Sequence, residues 1–551
     1  MKVTKYIAIA ALAMSVTACF DEPTGESTKH LPGTGTTSDV EIPENVVSPV
    51  ANFALTTKTV TVNTSTKYQT MEGIGASDCW LGEFVGSYFT GGRNSAATQL
   101  FSRRVINGQP QGIGLSMWRV NLGGGSMQQG DDSKIANVTS RAESYLDESG
   151  AYNWNNCAGQ RYFMEQAKNN GVENFVFFSN SPLVQWTRNG LATKIGLSND
   201  GKSNLKEDCY DLFADYLATV AEHYVNQGYN VSHISPLNEP QYTWDGDNQE
   251  GSSWLNTEVA KMAKALDKSL SDRGLETNIL IGEAGSFTAL YGESNTQANV
   301  IERLFTPGSD AYIGDLPHVD NLVCGHSYWT EGTWDGMRNV RQQLANKASS
   351  KGVRVWQTEW SMLGDAPADL EGGYDGSTYF DLAMYMSRVI HNDFTVAQVP
   401  SWCYWTAFGT EAWSQKSRFE LIFATPSGGA YNGNWFVEGD LADNPNLWVL
   451  GNYSLCIRPG YRRVALQHEE NKNFFGSAWI SPDGNTVVAV YTNYDKNNGV
   501  LLDNKTAFGS NPRGIRRLTT SSSKNLQEDW FKVGDRVFLD PYSVTTVVYY
   551  L

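Results

Sequence analysis

Residues 231–240 read Val-Ser-His-Ile-Ser-Pro-Leu-Asn-Glu-Pro, a short strand-like run that ends in polar residues. Helical periodicity follows at Ser253–Arg273, and a second strand-like run, Ile279-Leu-Ile-Gly, comes after the helix. A strand, a helix and a strand in this order form the repeating unit of a parallel α/β sheet. In closed sheets of this kind, the chemistry lies at the C-terminal ends of the strands, where Asn238 and Glu239 stand here.

The same alternation recurs along the chain between Met71 and Trp405. Eight strand-like runs can be counted there, and they end near Asp78, Arg119, Ser179, Glu239, Glu283, His326, Glu359 and Trp405. Helical periodicity lies between them at Leu205–Asn226, Ser253–Arg273, Met337–Ser350 and Ser377–Asn392. This pattern predicts an α/β fold of the (β/α)8 TIM barrel type. The spacing is irregular, so we expect long active-site loops.

On both sides of the barrel the periodicity changes from helical to strand-like. After about Leu447, period-two runs such as Thr486-Val-Val-Ala-Val-Tyr-Thr predict a small β-sandwich. Lys58-Thr-Val-Thr-Val-Asn-Thr alternates in the same way before the barrel and could join that sandwich. We therefore expect an attached side β-sandwich domain, with the chain divided into a contributing strand or strands at 51–70, the catalytic barrel at 71–446 and the C-terminal sandwich at 447–551.

The N-terminus has the pattern of a secretion signal. Residues 1–18 carry Lys2 and Lys5, then an apolar stretch, then small residues directly before Cys19. This order resembles the lipobox of bacterial lipoproteins, so we expect a signal peptide at 1–18, lipidation of Cys19 and a flexible tether at 19–50. The alternative is an ordinary signal peptide with an incidental cysteine. The lipid would be the only membrane anchor and would place the protein in the bacterial cell envelope, at the outer membrane surface or in the periplasm.

Composition excludes some partners and favours others. The 551 residues include 42 basic and 59 acidic side chains, and the net charge of −17 argues against nucleic-acid binding because it repels phosphate backbones. The 17 Trp, 26 Tyr and 23 Phe exceed what a core alone needs, and aromatic rings stack on the C–H faces of sugars. The seven histidines are dispersed, with no H-E-x-x-H motif. We expect a monomer that uses neither a metal nor an organic cofactor.

Two predicted strand ends carry a glutamate in an unusual setting. Glu239 lies in Ser-Pro-Leu-Asn-Glu-Pro on the fourth strand, and Glu359 lies in Val-Trp-Gln-Thr-Glu-Trp on the seventh. These strands face each other across the mouth of a closed barrel, so both carboxyl groups can reach one glycosidic bond. Glycoside hydrolysis needs this pair, one group to protonate the leaving oxygen and one to attack the anomeric carbon. The alternative is that both are buried structural glutamates in ion pairs.

Other barrel carboxylates compete for these roles. Glu283 ends the fifth strand, adjacent to Glu239, and is the main rival to Glu359. Glu250 and Asp245 follow the fourth strand and are further candidates.

With these residues the sequence resembles glycoside hydrolase family 30 over about residues 50–551. Beyond Asn238-Glu239-Pro240 and Glu359, the matching pieces are Gly73-Ile-Gly-Ala-Ser-Asp78, Trp118-Arg-Val, His326-Ser-Tyr328, Leu450-Gly-Asn-Tyr-Ser454 and Ile457-Arg-Pro-Gly460. The resemblance implies a (β/α)8 barrel joined to a side β-sandwich and a retaining mechanism with two glutamates.

The resemblance also implies a role for each matching residue. Glu239 would be the acid/base, Glu359 the nucleophile, and Asn238 would bind the sugar 2-OH. Tyr328 and Arg119 would lie beside Glu359 and lower its pKa through hydrogen bonding and opposite charge. The sugar at the cleavage site would be lined by Asp78, Trp186, His326 and Trp405. Alternatively, Trp186 and Trp405 are core residues and His326 is structural.

The family includes several β-glycosidases, and loops rather than the barrel choose the substrate. Residues 238–251, Asn-Glu-Pro-Gln-Tyr-Thr-Trp-Asp-Gly-Asp-Asn-Gln-Glu-Gly, resemble the endo-β-1,6-galactanase branch, and so does the first strand end with its Trp80. Stacking residues would be Trp244, Trp254 and Tyr242, unless they only pack the loop. We expect a β-linked polysaccharide substrate, with internal β-1,6-galactosidic bonds favoured. The alternatives are another family activity (β-1,6-glucanase, xylanase or exo-β-glycosidase) and a surface lipoprotein that binds glycans without hydrolysing them.

Overall fold

The computed structural model describes residues 29–30, 41–292, 297–413, 418–504 and 511–551. The predicted signal peptide, Cys19 and most of the predicted tether lie outside the described residues. Within the described ranges, no helix combines the length and the apolar character needed to cross a membrane.

A closed ring of parallel strands forms the centre of the molecule. The strands are Gly73–Ser77, Met117–Asn121, Asn174–Phe178, Val231–Ser235, Asn278–Ile279 continued by Ile281–Ala284, Leu322–His326, Arg354–Trp360 and Ser401–Tyr404. Each pairs in parallel with the next, and the last pairs with the first, with Ser401 opposite Gly73. This closure confirms the predicted TIM barrel.

The fifth barrel strand is interrupted, and the interruption positions a site residue. Its two pieces, Asn278–Ile279 and Ile281–Ala284, pair with different neighbours, and the register shifts within the second piece. Gly282 (φ +116°) and Glu283 (φ +40°) both have left-handed backbone. A Cβ on Gly282 would lie 2.6 Å from the Cys324 carbonyl oxygen, so only glycine fits there. This bend places the buried Glu283 at the mouth of the barrel.

Helices cover the outside of the barrel at Leu81–Tyr88, Arg93–Phe101, Ala158–Asn169, Tyr210–Asn226, Asn256–Arg273, Phe287–Tyr291, Val300–Phe305, Trp334–Lys351 and Tyr379–Asn392. The four helices predicted from periodicity are present. One begins earlier than predicted, at Trp334 rather than Met337, because the Thr333 side chain accepts a hydrogen bond from Gly336 N and caps the first turn. That first turn is not buried, so apolar periodicity does not reveal it.

The second domain is a β-sandwich to which both ends of the described chain contribute. Its strands are Leu55–Thr70, Arg462–Gln467, Phe474–Ile480, Thr486–Asn493, Gly499–Asn504, Gly514–Ser521, Lys524–Phe531, Phe538–Leu539 and Ser543–Tyr550. The strand Leu55–Thr70 pairs antiparallel with Arg462–Gln467 through its second half and parallel with Gly499–Asn504 through its first. One polypeptide strand thus links the two layers of the sandwich.

The barrel and the sandwich meet at the helix Pro445–Ser454. This helix spans residues 446 and 447, where the sequence pattern predicts that the barrel ends and the sandwich begins. It is buried on all sides from Asn446 to Ser454, so it has no polar face and no amphipathic pattern to read. Sandwich residues such as Trp479 and Leu518 belong to the same hydrophobic cluster as the barrel core. The two domains therefore share an apolar interface, while the sandwich keeps a second hydrophobic cluster of its own that includes Val60, Val487 and Leu539.

Candidate active site

Glu239 lies just beyond the fourth barrel strand in a constrained backbone position. Its φ is +39°, a value unfavourable for a side chain of this type. Its amide N donates to the carbonyl O of Glu283 (2.9 Å), and its own carbonyl O accepts from Trp244 Nε1 (3.0 Å). These two hydrogen bonds hold the strained backbone in place. Such strain is typical of functional sites, where it fixes the direction of a side chain.

Glu359 lies within the seventh strand, Arg354–Trp360, and two donors orient its carboxyl group. Arg119 Nη1 donates to one oxygen at 2.8 Å, and the Tyr328 hydroxyl donates to the other at 3.0 Å. Arg119 itself is fully buried on the second strand and also donates to Asn238 Oδ1 (3.3 Å). Arg119, Tyr328 and Asn238, which the sequence predicts beside the two glutamates, therefore meet in one hydrogen-bond network.

The separation of the two glutamates bears directly on mechanism. A carboxylate oxygen of Glu239, one of Glu359 and a ring nitrogen of His326 all lie within 4.8 Å of one another. Retaining glycosidases hold their carboxyl groups about 5–5.5 Å apart, whereas inverting enzymes need about 6.5–9.5 Å to admit a water molecule between them. The separation here suits the shorter arrangement of the retaining enzymes.

His326 connects the carboxyl groups of the site. Its Nδ1 lies 3.0 Å from Glu239 Oε1, and its Nε2 lies 3.0 Å from Glu283 Oε2. Burial lowers the pKa of His326, but the carboxylates of Glu359, Glu239 and Glu283 outweigh burial and raise that pKa to about 10. A ring protonated in this way donates from Nδ1 to a carboxyl oxygen of Glu239 and from Nε2 to a carboxyl oxygen of Glu283.

Glu283 is the permanent anion of the site. Burial raises the pKa of its carboxyl group, but Arg119, His326 and the Thr358 hydroxyl outweigh burial and lower that pKa to about 2. Its Oε1 lies 3.4 Å from Arg119 Nη2, and its Oε2 accepts from Thr358 Oγ1 at 2.6 Å. We refer to Arg119, His326, Glu239, Glu283 and Glu359 together as the mouth cluster.

The pKa of Glu359 moves in the opposite direction to the sequence-based expectation. Burial raises it, and the positive charges of His326 and Arg119 only partly offset that rise. The expectation took account of Arg119 and Tyr328 but not of the cost of burying the carboxylate. Both donors are in place, yet they do not outweigh burial.

A cavity of about 360 Å³ lies over the two glutamates. One wall is aromatic: Trp80 meets Trp405 edge to face at 5.1 Å and Trp413 at 6.0 Å between ring centroids. A second wall is polar and comes from two loops that are joined by a hydrogen bond from Ala136 N to Asp247 O (2.9 Å). The polar side chains that these two loops contribute to the cavity are Asn137, Ser140, Asp247, Asn248 and Gln249.

The Gln249-Glu250-Gly251 motif has a physical explanation in this wall. Gln249 lines the cavity. Glu250 is fully buried and accepts hydrogen bonds from Gly124 N (2.8 Å) and Ser126 Oγ (2.6 Å), which ties the loop to the segment after the second strand. A Cβ on Gly251 would lie 2.2 Å from the ring of Trp244, so glycine is required for that ring to pack. The motif therefore shapes the polar wall.

The structure brings most of the predicted site residues together. Those that line the cavity are Trp80, Asn238, Glu239, Trp244, Tyr328, Glu359 and Trp405. Arg119 and His326 lie directly behind them and contact the glutamates. Tyr242 is 54% exposed and meets Trp244 edge to face.

Four residues predicted to contact the substrate do not line the cavity. His326 is one of them, because it is fully buried behind Glu239. Asp78 is fully buried and does not line the cavity, because its carboxylate accepts from Gln160 Nε2 (2.7 Å) and Asn121 N (3.0 Å). Trp186 also lies away from the cavity, with its ring against Tyr216. Trp254 is fully buried and packs edge to face on Tyr210, so it cannot stack on a sugar.

The rival carboxylates have other functions in the structure. Glu283 neighbours the cavity but does not line it, and Arg119, His326 and Thr358 occupy its oxygens. Glu250 belongs to the loop wall, where burial raises its pKa to about 7 against the effect of its hydrogen bonds. Asp245 is exposed and accepts from Thr243 Oγ1 (3.0 Å).

Sequence reasoning missed several cavity residues. Trp413 and Phe419 follow the eighth strand, and Asn137 and Ser140 follow the second. All four lie on loops without apolar periodicity, so only their residue types, rich in aromatic and amide groups, offered a signal.

Glu239, His326 and Glu359 are close enough to share a metal ion, judged by distance alone. A metal ligand must offer a free lone pair, whereas a protonated His326 has none, and both of its nitrogens lie 3.0 Å from carboxyl oxygens of Glu239 and Glu283. The Arg119 guanidinium beside Glu359 further disfavours a cation there. The donor set suits proton transfer rather than metal binding.

The sequence and the fold both match known proteins. A family model described as O-glycosyl hydrolase family 30 matches residues 57–417. The chain belongs to glycoside hydrolase family 30. Over 398 residues it is 26% identical to an endo-beta-1,6-galactanase from Hypocrea rufa. The matched region covers 68% of this chain and 72% of that protein. Family membership makes the protein an O-glycosyl hydrolase with a polysaccharide substrate.

Two solved structures show the same architecture over most of this glycoside hydrolase. A conserved exported protein from Bacteroides fragilis superposes with a TM-score of 0.81 at 27% identity, covering 90% of this chain and all (100%) of that one. The catalytic domain of the family 30 xylanase C from Talaromyces cellulolyticus superposes with a TM-score of 0.63 at 20% identity, with 90% and 100% covered. The second similarity supports the fold alone.

Proposed function

We propose that the protein is a retaining hydrolase of internal β-1,6-galactosidic bonds in galactan or arabinogalactan side chains. The observation that carries the mechanism is the pair Glu239 and Glu359, which both line the cavity and have carboxyl oxygens within 4.8 Å of each other. The choice of sugar is supported by the similarity to the Hypocrea rufa galactanase and by the loop 238–251.

In the first step, a lone pair of the Glu359 carboxylate attacks the anomeric carbon. The bond from that carbon to the leaving oxygen breaks, and this oxygen takes the proton of Glu239. The product is a glycosyl ester on Glu359. Arg119 and Tyr328 hold the attacking carboxylate in line, and their hydrogen bonds favour its ionised form.

In the second step, Glu239 acts as the base. It takes a proton from water as the water oxygen attacks the anomeric carbon, and the ester bond to Glu359 breaks. Two displacements at the same carbon return the original anomeric configuration. Asn238, which lines the cavity and is held by Arg119, would bind the sugar 2-OH during both steps.

The charges of the mouth cluster suit this sequence. Arg119 and His326 carry two positive charges, and Glu283 and Glu359 carry two negative charges when Glu239 holds its proton. After the first step Glu359 is a neutral ester and Glu239 is the anion, so the sum is unchanged. Buried charges are costly when unbalanced, and here the reaction moves a proton without creating net charge.

One panel of substrates tests the activity and the sugar together. β-1,6-galactan, β-1,6-glucan, glucuronoxylan and aryl glycosides are assayed under the same conditions for release of reducing sugar. We expect galacto-oligosaccharides from the first substrate alone. Preference for glucan or xylan would contradict galactan as the substrate but would not affect the proposed two-step mechanism. Binding without any hydrolysis would favour a glycan-binding protein.

We also propose that Cys19 is lipidated and anchors the enzyme to the bacterial cell envelope, as a monomer. The order of charged, apolar and small residues before Cys19 supports this. Mass spectrometry of the mature protein should find an acylated N-terminal cysteine, and Cys19→Ala should release the protein from the membrane fraction. Retention of that variant would contradict the anchor.

A further inference from the structure

Trp329 is an exposed aromatic residue in a strained backbone. The residue is 59% exposed, more than any other tryptophan among the described residues. Its φ is +59°, which is rare for a bulky residue. Exposed apolar surface and a left-handed backbone both cost stability, so folding alone does not account for this residue.

The ring of Trp329 packs against a glycine on a neighbouring loop. It lies against Gly364, where a Cβ would come within 3.1 Å of Nε1 and 3.2 Å of Cδ1. The segment that carries Gly364 is fixed by Arg418, whose Nε donates to Met362 O at 2.8 Å and whose Nη2 donates to Gly364 O at 3.4 Å. A ring supported in this way offers a rigid surface to a ligand.

The contact between Trp329 and Gly364 adjoins the catalytic cavity. Trp329 directly follows Tyr328, which lines the cavity and donates to Glu359. Leu363, next to Gly364, also lines the cavity and is 37% exposed. Trp329 therefore stands at the rim of the cavity.

The position of Glu239 shows which half of the substrate reaches this rim. Its Oε1 lies 3.0 Å from His326 Nδ1 and would lie 3.1 Å from a Cβ on Gly285, so the acid lies against residues that end the fifth and sixth strands. The leaving oxygen must meet that acid. The aromatic wall of Trp80 and Trp405 belongs to the first and eighth strands, on the other side.

We propose that Trp329 stacks on a sugar of the leaving-group half of the polysaccharide. As regards the identity of that sugar, this rests on the proposed function. The C–H face of a pyranose ring matches an exposed indole whose Nε1–Cδ1 edge lies against Gly364, and a flexible β-1,6 chain needs such contacts to offset the entropy lost on binding. Trp329 thereby helps to select a polymer over a short substrate.

The test compares two variants on two substrates. Trp329→Gly removes the ring and suits the left-handed backbone, so its thermal midpoint should not fall. Trp329→Phe keeps a ring. The substrates are β-1,6-galactan and β-galactobiosyl fluoride, in which fluoride replaces the leaving-group sugars.

We expect Trp329→Gly to lower kcat/KM on galactan about tenfold and to leave kcat/KM on the fluoride within about twofold of wild type, with Trp329→Phe in between on galactan. An equal loss on both substrates, or no loss on galactan, would overturn the proposal. If wild type instead prefers another polymer of the panel, the proposed sugar is wrong, and the same comparison with that polymer and its disaccharide fluoride decides on Trp329.

Discussion

Two buried ion clusters lie in the barrel, and they differ in their relation to solvent. In the mouth cluster, Glu239 and Glu359 reach a cavity. The second cluster pairs Arg341 Nε with Asp393 Oδ1 at 2.7 Å, and neither side chain is exposed. Trp402 Nε1 (2.9 Å) and Ser327 Oγ (3.2 Å) donate to the second oxygen of Asp393. Burial and pairing are common to both clusters, so neither property alone marks a catalytic site.

What distinguishes the mouth cluster is its surplus of carboxyl groups. Three carboxyl groups share two cations there, so one proton can move between Glu239 and a substrate without leaving a bare charge. The Arg341–Asp393 pair is one to one, and its hydrogen bonds close on the protein itself. Substitution of the two glutamates that reach the cavity should therefore remove activity, whereas substitution of Asp393 should remove stability.

The largest effect is expected for Glu359→Gln. The amide has the shape of the carboxyl group but cannot form the glycosyl ester, so kcat on galactan should fall roughly 10⁴-fold or more. The protein should remain folded by circular dichroism. A variant that retains a tenth of wild-type activity would show that another group is the nucleophile, with Glu283 as the first candidate.

A smaller and substrate-dependent effect is expected for Glu239→Ala. Loss of the acid should lower turnover of galactan about 10²- to 10⁴-fold, because the sugar leaving group needs a proton. An aryl glycoside with a good leaving group needs none, so formation of the glycosyl ester should persist and added azide should speed its breakdown. NMR should find a glycosyl azide of retained configuration, and an inverted product would contradict the two-step mechanism.

In the second cluster, Asp393→Asn should act on stability. It leaves the Arg341 charge buried without a counter-ion, and we expect the free energy of unfolding to fall by about 3–5 kcal/mol. Denaturant unfolding measures this loss. Turnover per folded molecule should stay within a few-fold of wild type, and a loss as large as that of Glu359→Gln would erase the distinction between the clusters.

The smallest effect concerns the pH dependence of stability. The folded-state pKa of His326 is raised to about 10, above its ordinary value of about 6.5, so folding takes up a proton between these values. The stabilisation is complete below about pH 6.5 and is lost as the pH rises through about 10. Between pH 7.5 and 9.5, the free energy of unfolding should fall by about 1.4 kcal/mol per pH unit more in wild type than in His326→Gln. Equal slopes would show that His326 is not protonated in the folded state.

Both clusters bear on what the sequence can and cannot reveal. The barrel follows from its alternation because each strand is short, buried and bounded by polar residues, as in Val231–Ser235. Glu239 and Glu359 could be predicted because strand order places their strands across the mouth and the family resemblance favours them over Glu283. The burial of Glu359, and with it the direction of its pKa shift, depends on packing that no local pattern encodes.

The wrong predictions have the same origin. Asp78 and Trp186 carry the right residue types at plausible places, but hydrogen bonds from Gln160 and contact with Tyr216 turn them away from the cavity. The exposed position of Trp329 was missed because the sequence reveals neither its left-handed backbone nor its contact with Gly364. Side-chain direction on long loops is set by tertiary contacts.

The strand Leu55–Thr70 also has a consequence for how the chain is made. Thr70 pairs with Arg462, and Leu55 pairs with Gly499, so this strand leaves the ribosome long before its partners exist. Loop closure over such a distance is slow, and the exposed edge of an unpaired strand invites aggregation until the partners arrive. A chain that stops before Arg462 holds a strand with no place to dock and cannot build the sandwich.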